Sequence, residues 1–87
     1  MVSQKIKVTN EQGMHMRPAS VFSQAMTPFA SKVNVIFNDK SYDAKSVMVL
    51  MGACIKCGAD IEVQCDGPDE QEALKKAIEL IESGLGD

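Results

Sequence analysis

Hydrophobic residues recur at every second position in several stretches of the chain, which is typical of a strand with one buried face. The clearest stretch is 59–65, where Ile61, Val63 and Cys65 alternate with acidic or amide side chains. The alternation predicts strands at 2–8, 32–37 and 59–65, and a shorter strand at 40–44. Asn38-Asp39 is the predicted hairpin turn before that shorter strand, because both residue types tolerate positive φ.

Other stretches carry apolar residues at helical spacing. They predict one helix over 16–27, which ends before Pro28 because the residue before a proline avoids helical geometry. They predict a second over the stretch that opens at Gly67-Pro68-Asp69-Glu70 and closes at Gly84. Between them, Ser46 is the predicted N-cap of a short helix reaching about Met51. The predicted buried faces are Val21, Phe22, Ala25 and Met26 on the first helix and Leu74, Ala77, Ile78 and Ile81 on the last.

The predicted order of elements is strand, helix, strand, strand, short helix, strand, helix. Because each strand has one apolar and one polar face, we expect a four-stranded antiparallel sheet with helices on one side and water on the other. The predicted fold class is therefore α+β, an open-faced two-layer sandwich in which three helices cover one face of the sheet (βαββαβα). We expect residues 1–87 to form a single domain.

Composition narrows the function. A chain of 87 residues builds one thin core without a deep substrate cavity, so any chemistry is expected near the surface, with another macromolecule as partner. A net charge of −3 without a Lys/Arg cluster argues against nucleic-acid binding. No apolar run approaches the roughly 20 residues that span a bilayer, and the first residues lack the apolar core of a signal peptide. We therefore expect a cytoplasmic protein that does not bind membranes.

The candidate chemistry lies at His15, the single histidine of the chain, which immediately precedes the first predicted helix. Helix N-termini attract anions through unpaired backbone N–H groups and the helix dipole. Arg17 adds a guanidinium whose geometry suits phosphate oxygens. Gly13 allows the preceding turn an unusual backbone path. A neutral imidazole nitrogen can attack phosphorus, so this stretch suits the transient carriage of a phosphoryl group.

From residue types alone, two interpretations of His15 stay open, since a histidine before a helix is often only a surface residue or a cap. A catalytic metal site needs about three protein ligands, and no partner cluster is visible in the sequence. A Ser-His-Asp arrangement is not excluded, although nothing like a nucleophile elbow is present. We therefore expect no metal and no organic cofactor.

The order of residues favours phosphoryl transfer. Gly13-Met14-His15-Met16-Arg17-Pro18-Ala19-Ser20 closely resembles the active-site signature of the HPr family, the phosphocarriers of the bacterial phosphoenolpyruvate-dependent sugar phosphotransferase system. Lys45-Ser46-Val47-Met48 is similar to the regulatory serine segment of the Gram-positive members. Gly58-Ala59-Asp60-Ile61 is similar to the start of the family's last strand. The resemblance covers essentially the whole chain, and the predicted element order is the family's fold.

The resemblance implies a set of roles. His15 would be phosphorylated on Nδ1 by enzyme I and would pass the group to the A domain of an enzyme II, with Arg17 steadying it. Ser46 would be the target of an ATP-dependent HPr kinase/phosphorylase, and its phosphorylated form would recruit the catabolite control protein. The protein would be a monomeric substrate of enzymes, without catalytic turnover of its own. A regulatory paralogue carries another residue at the position of His15, so His15 favours the carrier.

Ser46 also has a plain interpretation, because an N-cap serine needs no further role. The residues that follow it give a short helix more apolar side chains than one stripe can bury, so some should form an exposed docking patch. The predicted partner-binding residues are Met16, Ser20, Val47, Met48 and Met51.

Two alternatives remain. The first is a non-transporting regulatory adaptor of the same fold that acts through Ser46. The second is a redox module that uses Cys54 and Cys57, which form a CxxC. The context does not favour redox or metal chemistry, and small apolar packing is the expected role of these thiols, with Cys65 in the core.

Val49 and Cys54 stand where the resemblance leads us to expect glycine.

Overall fold

A computed structural model describes residues 1–85, and the end of the chain predicted to lie in the same domain falls outside this range. All seven predicted elements are present in the predicted order. They are β1 (Val2–Lys7), α1 (Met16–Met26), β2 (Lys32–Phe37), β3 (Lys40–Asp43), α2 (Val47–Gly52), β4 (Asp60–Asp66) and α3 (Glu70–Glu82). The strands form one antiparallel sheet in the order β1-β4-β2-β3, open on one face, with three helices. The predicted fold class is confirmed, and most element boundaries lie within one residue of the predicted ones. The last helix begins later than predicted, at Glu70 with Asp69 as N-cap, so Pro68 lies before the helix and not in its first turn.

The sheet is built around β4, which pairs with β1 on one side and β2 on the other. Ile61, Val63 and Cys65 are buried on its inner face, as their alternation predicts. The hairpin between β2 and β3 is also confirmed. Asn38 and Asp39 have φ values of 52° and 63°, the positive pair that a two-residue turn between twisted strands requires.

The buried face of α1 differs from the predicted one. Phe22 and Met26 are fully buried, but Val21 and Ala25 are only half-buried. Ala19 and Ser23 take their places, because α1 packs against both α2 and α3 and small residues allow that close approach. On α3 the prediction was nearly right. The buried residues there are Ala73, Ala77, Ile78 and Ile81, and Leu74 is half-buried against the core.

The end of α1 falls before Pro28 as predicted, but for a different reason. Thr27, the residue before the proline, keeps helical dihedral angles of −55° and −40°. The helix stops because Pro28 has no N–H to donate to the carbonyl of the preceding turn. The last helix closes as predicted, with Gly84 at φ 90° just beyond α3.

A polar contact joins the loop after α1 to the start of α3. The Asp69 carboxylate accepts from the backbone N–H groups of Ala30 and Ser31, both at 2.9 Å, and also from the Ser31 hydroxyl. These bonds, the Ser31 hydroxyl first, lower the pKa of Asp69. Gly67 (φ 155°) makes the contact possible, because a Cβ there would lie 2.6 Å from the Ser31 Cα.

Candidate functional site

His15 is the N-cap residue of α1. Its backbone is extended (φ −75°, ψ −177°), and its carbonyl accepts the first helical hydrogen bond from Ala19 N at 2.8 Å. Its side chain is exposed and makes no capping bond to the helix. The imidazole is therefore held beside the positive end of the helix while its ring remains accessible to a partner protein.

The first turn of α1 offers few donors to an anion. Met16 and Arg17 contribute backbone N–H groups that come too early in the helix for an intrahelical acceptor. Pro18 occupies the third helical position and has no N–H. No acidic side chain stands in this turn, so nothing in it competes with a bound anion for the helix dipole. The exposed Arg17 side chain adds a positive charge.

The loop before His15 is fixed by the neighbouring chain. Asn10 Nδ2 donates to the Gly13 carbonyl at 2.7 Å, and Gly13 N donates back to the Asn10 carbonyl at 3.2 Å. Met14 is buried, and its N–H donates to the Ile55 carbonyl at 2.9 Å. Gly13 is required here, because it has φ 63° and a Cβ would lie 2.4 Å from the Ile55 oxygen. The loop that ends at His15 is thus in backbone contact with the segment between α2 and β4.

An open surface hollow of about 740 Å³ surrounds His15 and is lined mostly by residues that the sequence analysis singled out. It brings His15 and Arg17 together with the predicted partner-binding residues on α1 and one from α2. The lining residues are Gln12, His15, Met16, Arg17, Ser20 and Met51. Gln12 was missed; its place in the loop three residues before His15 was the available signal. A shallow, open hollow suits a partner protein better than a small substrate, which is usually enclosed.

α2 shows the predicted surplus of apolar residues. Only Leu50 is buried, Val47 and Met51 are half-buried against the core, and Met48 is 79 % exposed. Val49, 38 % exposed, also belongs to this patch and was missed. Met48 and Val47 do not line the His15 hollow. The exposed part of α2 is therefore a second apolar surface next to the hollow, continuous with it through Met51.

Ser46 is the N-cap of α2, as predicted. Its Oγ accepts from Val49 N at 3.3 Å, and its backbone is extended. A helix of six residues is about 9 Å long, so Ser46 and Met51 lie near opposite ends of α2. Ser46 is thus separated from the His15 hollow by about the length of this helix.

The cysteines correct one prediction. Cys65 is fully buried as expected, and burial raises the pKa of its thiol. Cys54 and Cys57 are exposed, so they are not packing groups. Cys54 has φ 56°, which accounts for the expectation of glycine at this position. Among residues 1–85, no group of three or more His, Cys, Asp or Glu side chains could hold a metal ion.

An accessible imidazole at the positive end of a helix, in an open hollow that also contains a guanidinium, suits a class of small proteins that carry phosphoryl groups between larger partners. A family model described as "PTS HPr component phosphorylation site" matches residues 2–83. The chain belongs to the HPr family, the phosphocarrier proteins of the phosphotransferase system.

Named relatives agree with this assignment. The chain is 37 % identical to the phosphocarrier protein HPr of Neisseria meningitidis, over 100 % of this chain and 98 % of the relative. It is also 37 % identical to the HPr-like protein Crh of Bacillus subtilis, over 94 % of this chain and 96 % of Crh. A crystal structure of HPr from Thermoanaerobacter tengcongensis superimposes with a TM-score of 0.96 at 36 % identity, covering 100 % and 98 % of the two chains.

Two findings bear on assembly and location. A crystal structure of an HPr dimer from Thermoanaerobacter tengcongensis also matches, at 36 % identity and a TM-score of 0.79 over the full length of both chains. The expectation of a monomer is therefore not confirmed. In the part of the chain that the structure describes, every helix is too short or too polar to cross a membrane.

Proposed function

We propose that this protein carries phosphoryl groups in a sugar phosphotransferase system, accepting them from enzyme I on His15 and passing them to the A domains of enzyme II. The observation that carries the proposal is the exposed His15 imidazole at the N-terminus of α1, inside a hollow wide enough for a partner's surface. The protein is a substrate of its partners and does not turn over alone.

The transfer needs little from the carrier. The lone pair of His15 Nδ1 attacks phosphorus as the bond to the donor's leaving group breaks. In the delivery step, a nucleophile of the acceptor attacks phosphorus, the Nδ1–P bond breaks, and its electron pair returns to Nδ1. The Met16 and Arg17 N–H groups and the Arg17 guanidinium face the negative charge that the phosphoryl group brings. No metal or organic cofactor takes part in these steps.

The docking surface consists of the hollow and the adjoining apolar side chains of α2. Met16 is 67 % exposed beside His15, and Ser20 and Met51 form the walls of the hollow. Met48 and the exposed edge of Val47 extend this surface along α2. Flexible methionine side chains can repack against different surfaces, which suits a carrier that must bind a donor and several acceptors in turn.

Ser46 is the regulatory site, phosphorylated by an ATP-dependent HPr kinase/phosphorylase. A phosphate at the N-cap of α2 is compatible with the fold, because the N-terminus of a helix favours negative charge. It places about two negative charges at the edge of the docking surface. This opposes docking of an acidic enzyme I surface and creates a contact for the catabolite control protein.

The second candidate is a regulatory adaptor that acts through Ser46 and does not carry phosphate. The 37 % identity to Crh over nearly the full chain favours it, because Crh is an HPr-like protein as similar to this chain as HPr relatives are. The presence of His15 favours the carrier.

Incubation with labelled phosphoenolpyruvate and enzyme I decides between the two candidates. The carrier becomes labelled on His15 in an acid-labile bond, and the label moves to an added A domain. His15→Gln, similar in size, should stay unlabelled while Ser46→Ala labels normally. An adaptor would instead take an acid-stable label on Ser46 from ATP and the kinase. Labelling of His15→Gln by enzyme I, or no labelling of the wild-type protein, would contradict the proposal.

We place this carrier in the cytoplasm as a monomer that binds neither nucleic acid nor membranes. A net charge of −3, without a Lys/Arg cluster in the sequence, disfavours binding to a phosphate backbone or an anionic lipid. Light scattering tests the monomeric state, and a stable dimer at micromolar protein concentration would contradict this part of the proposal.

A further inference from the structure

Cys54 and Cys57 lie in the loop between α2 and β4, and phosphoryl carriage gives them no role. Both are exposed, neither is in a disulfide, and only Ile55 and Lys56 separate them. Ile55 is buried with 2 % of its surface exposed, so the loop is anchored at its middle while the thiols on either side remain accessible to solvent.

This loop supports the one that ends at His15. The Ile55 carbonyl accepts from Met14 N at 2.9 Å, and the Lys56 Cα would be 2.7 Å from a Cβ on Gly13. The Cys57 thiol itself donates to the Thr9 carbonyl at 3.7 Å. The two backbones touch without side chains between them, so displacement of one loop must displace the other.

We propose that Cys54 and Cys57 form a dithiol switch whose conversion to a disulfide displaces the His15 loop and slows phosphoryl uptake. The oxidant is a small disulfide of the glutathione class. One cysteine thiolate attacks it, forming a mixed disulfide and releasing one thiol. The second thiolate then attacks the mixed disulfide and releases the other. In total, the two cysteines lose two hydrogens and the small disulfide is reduced to two thiols.

The geometry explains why oxidation of Cys54 and Cys57 would change the position of the His15 loop. Neither Ile55 nor Lys56 lies in a turn or bend of the reduced loop. A disulfide brings its two Cα atoms within about 7 Å, so its formation requires the backbone at these two residues to bend. The bend moves the carbonyl that holds Met14 and the backbone that Gly13 touches. A misplacement of about 1 Å can slow a group transfer by up to about 100-fold, and we expect a loss of about tenfold here. The effect on phosphoryl uptake rests on the proposed function; the displacement of the loop does not.

Cys65 does not take part. It is fully buried on β4, and burial raises the pKa of its thiol, so it reacts slowly with disulfides. In the folded protein two thiols should react rapidly with a thiol reagent, and the third only on unfolding.

The test uses the whole protein with oxidised glutathione, which leaves the exposed methionines unchanged. Mass spectrometry should show a peptide containing the Cys54–Cys57 disulfide, two hydrogens lighter than the reduced form. Amide NMR signals of Gly13 and Met14 should shift, and labelling by enzyme I should slow about tenfold. Dithiothreitol should reverse all three changes. Cys57→Ser should stop at a mixed disulfide, one glutathione heavier.

Two variants provide controls. The double variant Cys54→Ser/Cys57→Ser should label at the rate of the reduced protein with or without oxidant, and Cys65→Ala should remain sensitive to it. The proposal is overturned if no Cys54–Cys57 disulfide forms, or if it forms without moving the Gly13 and Met14 signals. If those signals move but the reduced protein takes no phosphate, the switch stands and the proposed function fails. If the signals move and the rate does not, the link to uptake is wrong.

Discussion

Asp69 and Ser31 are 38 positions apart in the sequence and are joined by two hydrogen bonds, one from the Ser31 N–H at 2.9 Å and one from its hydroxyl, both to Asp69 Oδ1. A third bond, from Ala30 N, ends on Asp69 Oδ2. One carboxylate thus joins the beginning of α3 to the loop between α1 and β2. These contacts fix the loop that follows α1 to the N-terminus of α3.

Asp69→Asn should lower the melting temperature at pH 7. Both carboxylate oxygens of Asp69 accept hydrogen bonds, and the asparagine NH₂ group would replace one of these acceptors with a second donor. The pKa of Asp69 is lowered in the folded state, so its stabilisation is present above the ordinary aspartate pKa of about 3.9 and is lost as pH falls through the lower folded value. The difference in melting temperature between wild type and variant should therefore shrink as the pH falls below about 4. Glu72→Gln, in the same helical turn, is the control and should have little effect. A constant difference from pH 7 to pH 3 would contradict the prediction.

Gly13→Ala should destabilise the fold by about 2–4 kcal/mol, because alanine is strained at φ 63° and its Cβ would meet the Ile55 oxygen at 2.4 Å. Gly52→Ala is the matched control, since a Cβ there has no atom within 4 Å and the position lies at the end of α2. We expect that variant to be neutral or more stable by up to about 1 kcal/mol. Urea denaturation measures both, and equal losses would show that the Gly13 contact is unimportant.

Arg17→Ala should slow labelling of His15 by about 10- to 100-fold with an unchanged melting temperature, because the exposed side chain acts on the phosphoryl group and not on the core. Arg17→Lys should recover part of the rate by restoring charge without the forked geometry. Lys5→Ala, on the exposed sheet face, makes the same change in net charge and should label normally. If Lys5→Ala is as slow as Arg17→Ala, the effect comes from the protein's overall charge.

Ser46 can be tested with two substitutions that keep the N-cap. Asparagine and aspartate both accept the hydrogen bond from Val49 N, so neither should destabilise the protein by more than about 0.5 kcal/mol. Only aspartate adds charge at the edge of the docking surface. We expect Ser46→Asp to raise the KM of enzyme I for the carrier about threefold or more, and Ser46→Asn to leave it unchanged. Equal KM values for the two variants would remove the electrostatic account of Ser46.

The parts of the fold that depend on local preference could be predicted from the sequence. The turn at Asn38 and Asp39 was found because few residue types tolerate its backbone angles, and β4 was found because its alternation is regular. The inner face of α1 was misplaced at Ser23, since residue polarity does not reveal which helices will approach closely enough to exclude a larger side chain.

The candidate site also contains some features that could be predicted from local sequence and others that could not. His15, Arg17 and the cap at Ser46 could be found because their positions relative to helix starts are local properties of the sequence. The contact of Gly13 with Ile55 could not, since two loops far apart in sequence meet only after the sheet has formed. The exposure of Cys54 and Cys57 could not be predicted either, because it depends on how the loop around the buried Ile55 packs in the folded protein.

Pro18 removes one backbone donor from the first turn of α1, so this helix end presents fewer N–H groups to an anion than a first turn without proline. A complete ring of N–H groups would stabilise phosphohistidine more strongly and would make the next protein in the relay compete for it. Weak binding at the helix end suits a phosphocarrier, because it must release the phosphoryl group as well as accept it. Under the proposed function, this first turn favours rapid release of the phosphoryl group over tight binding.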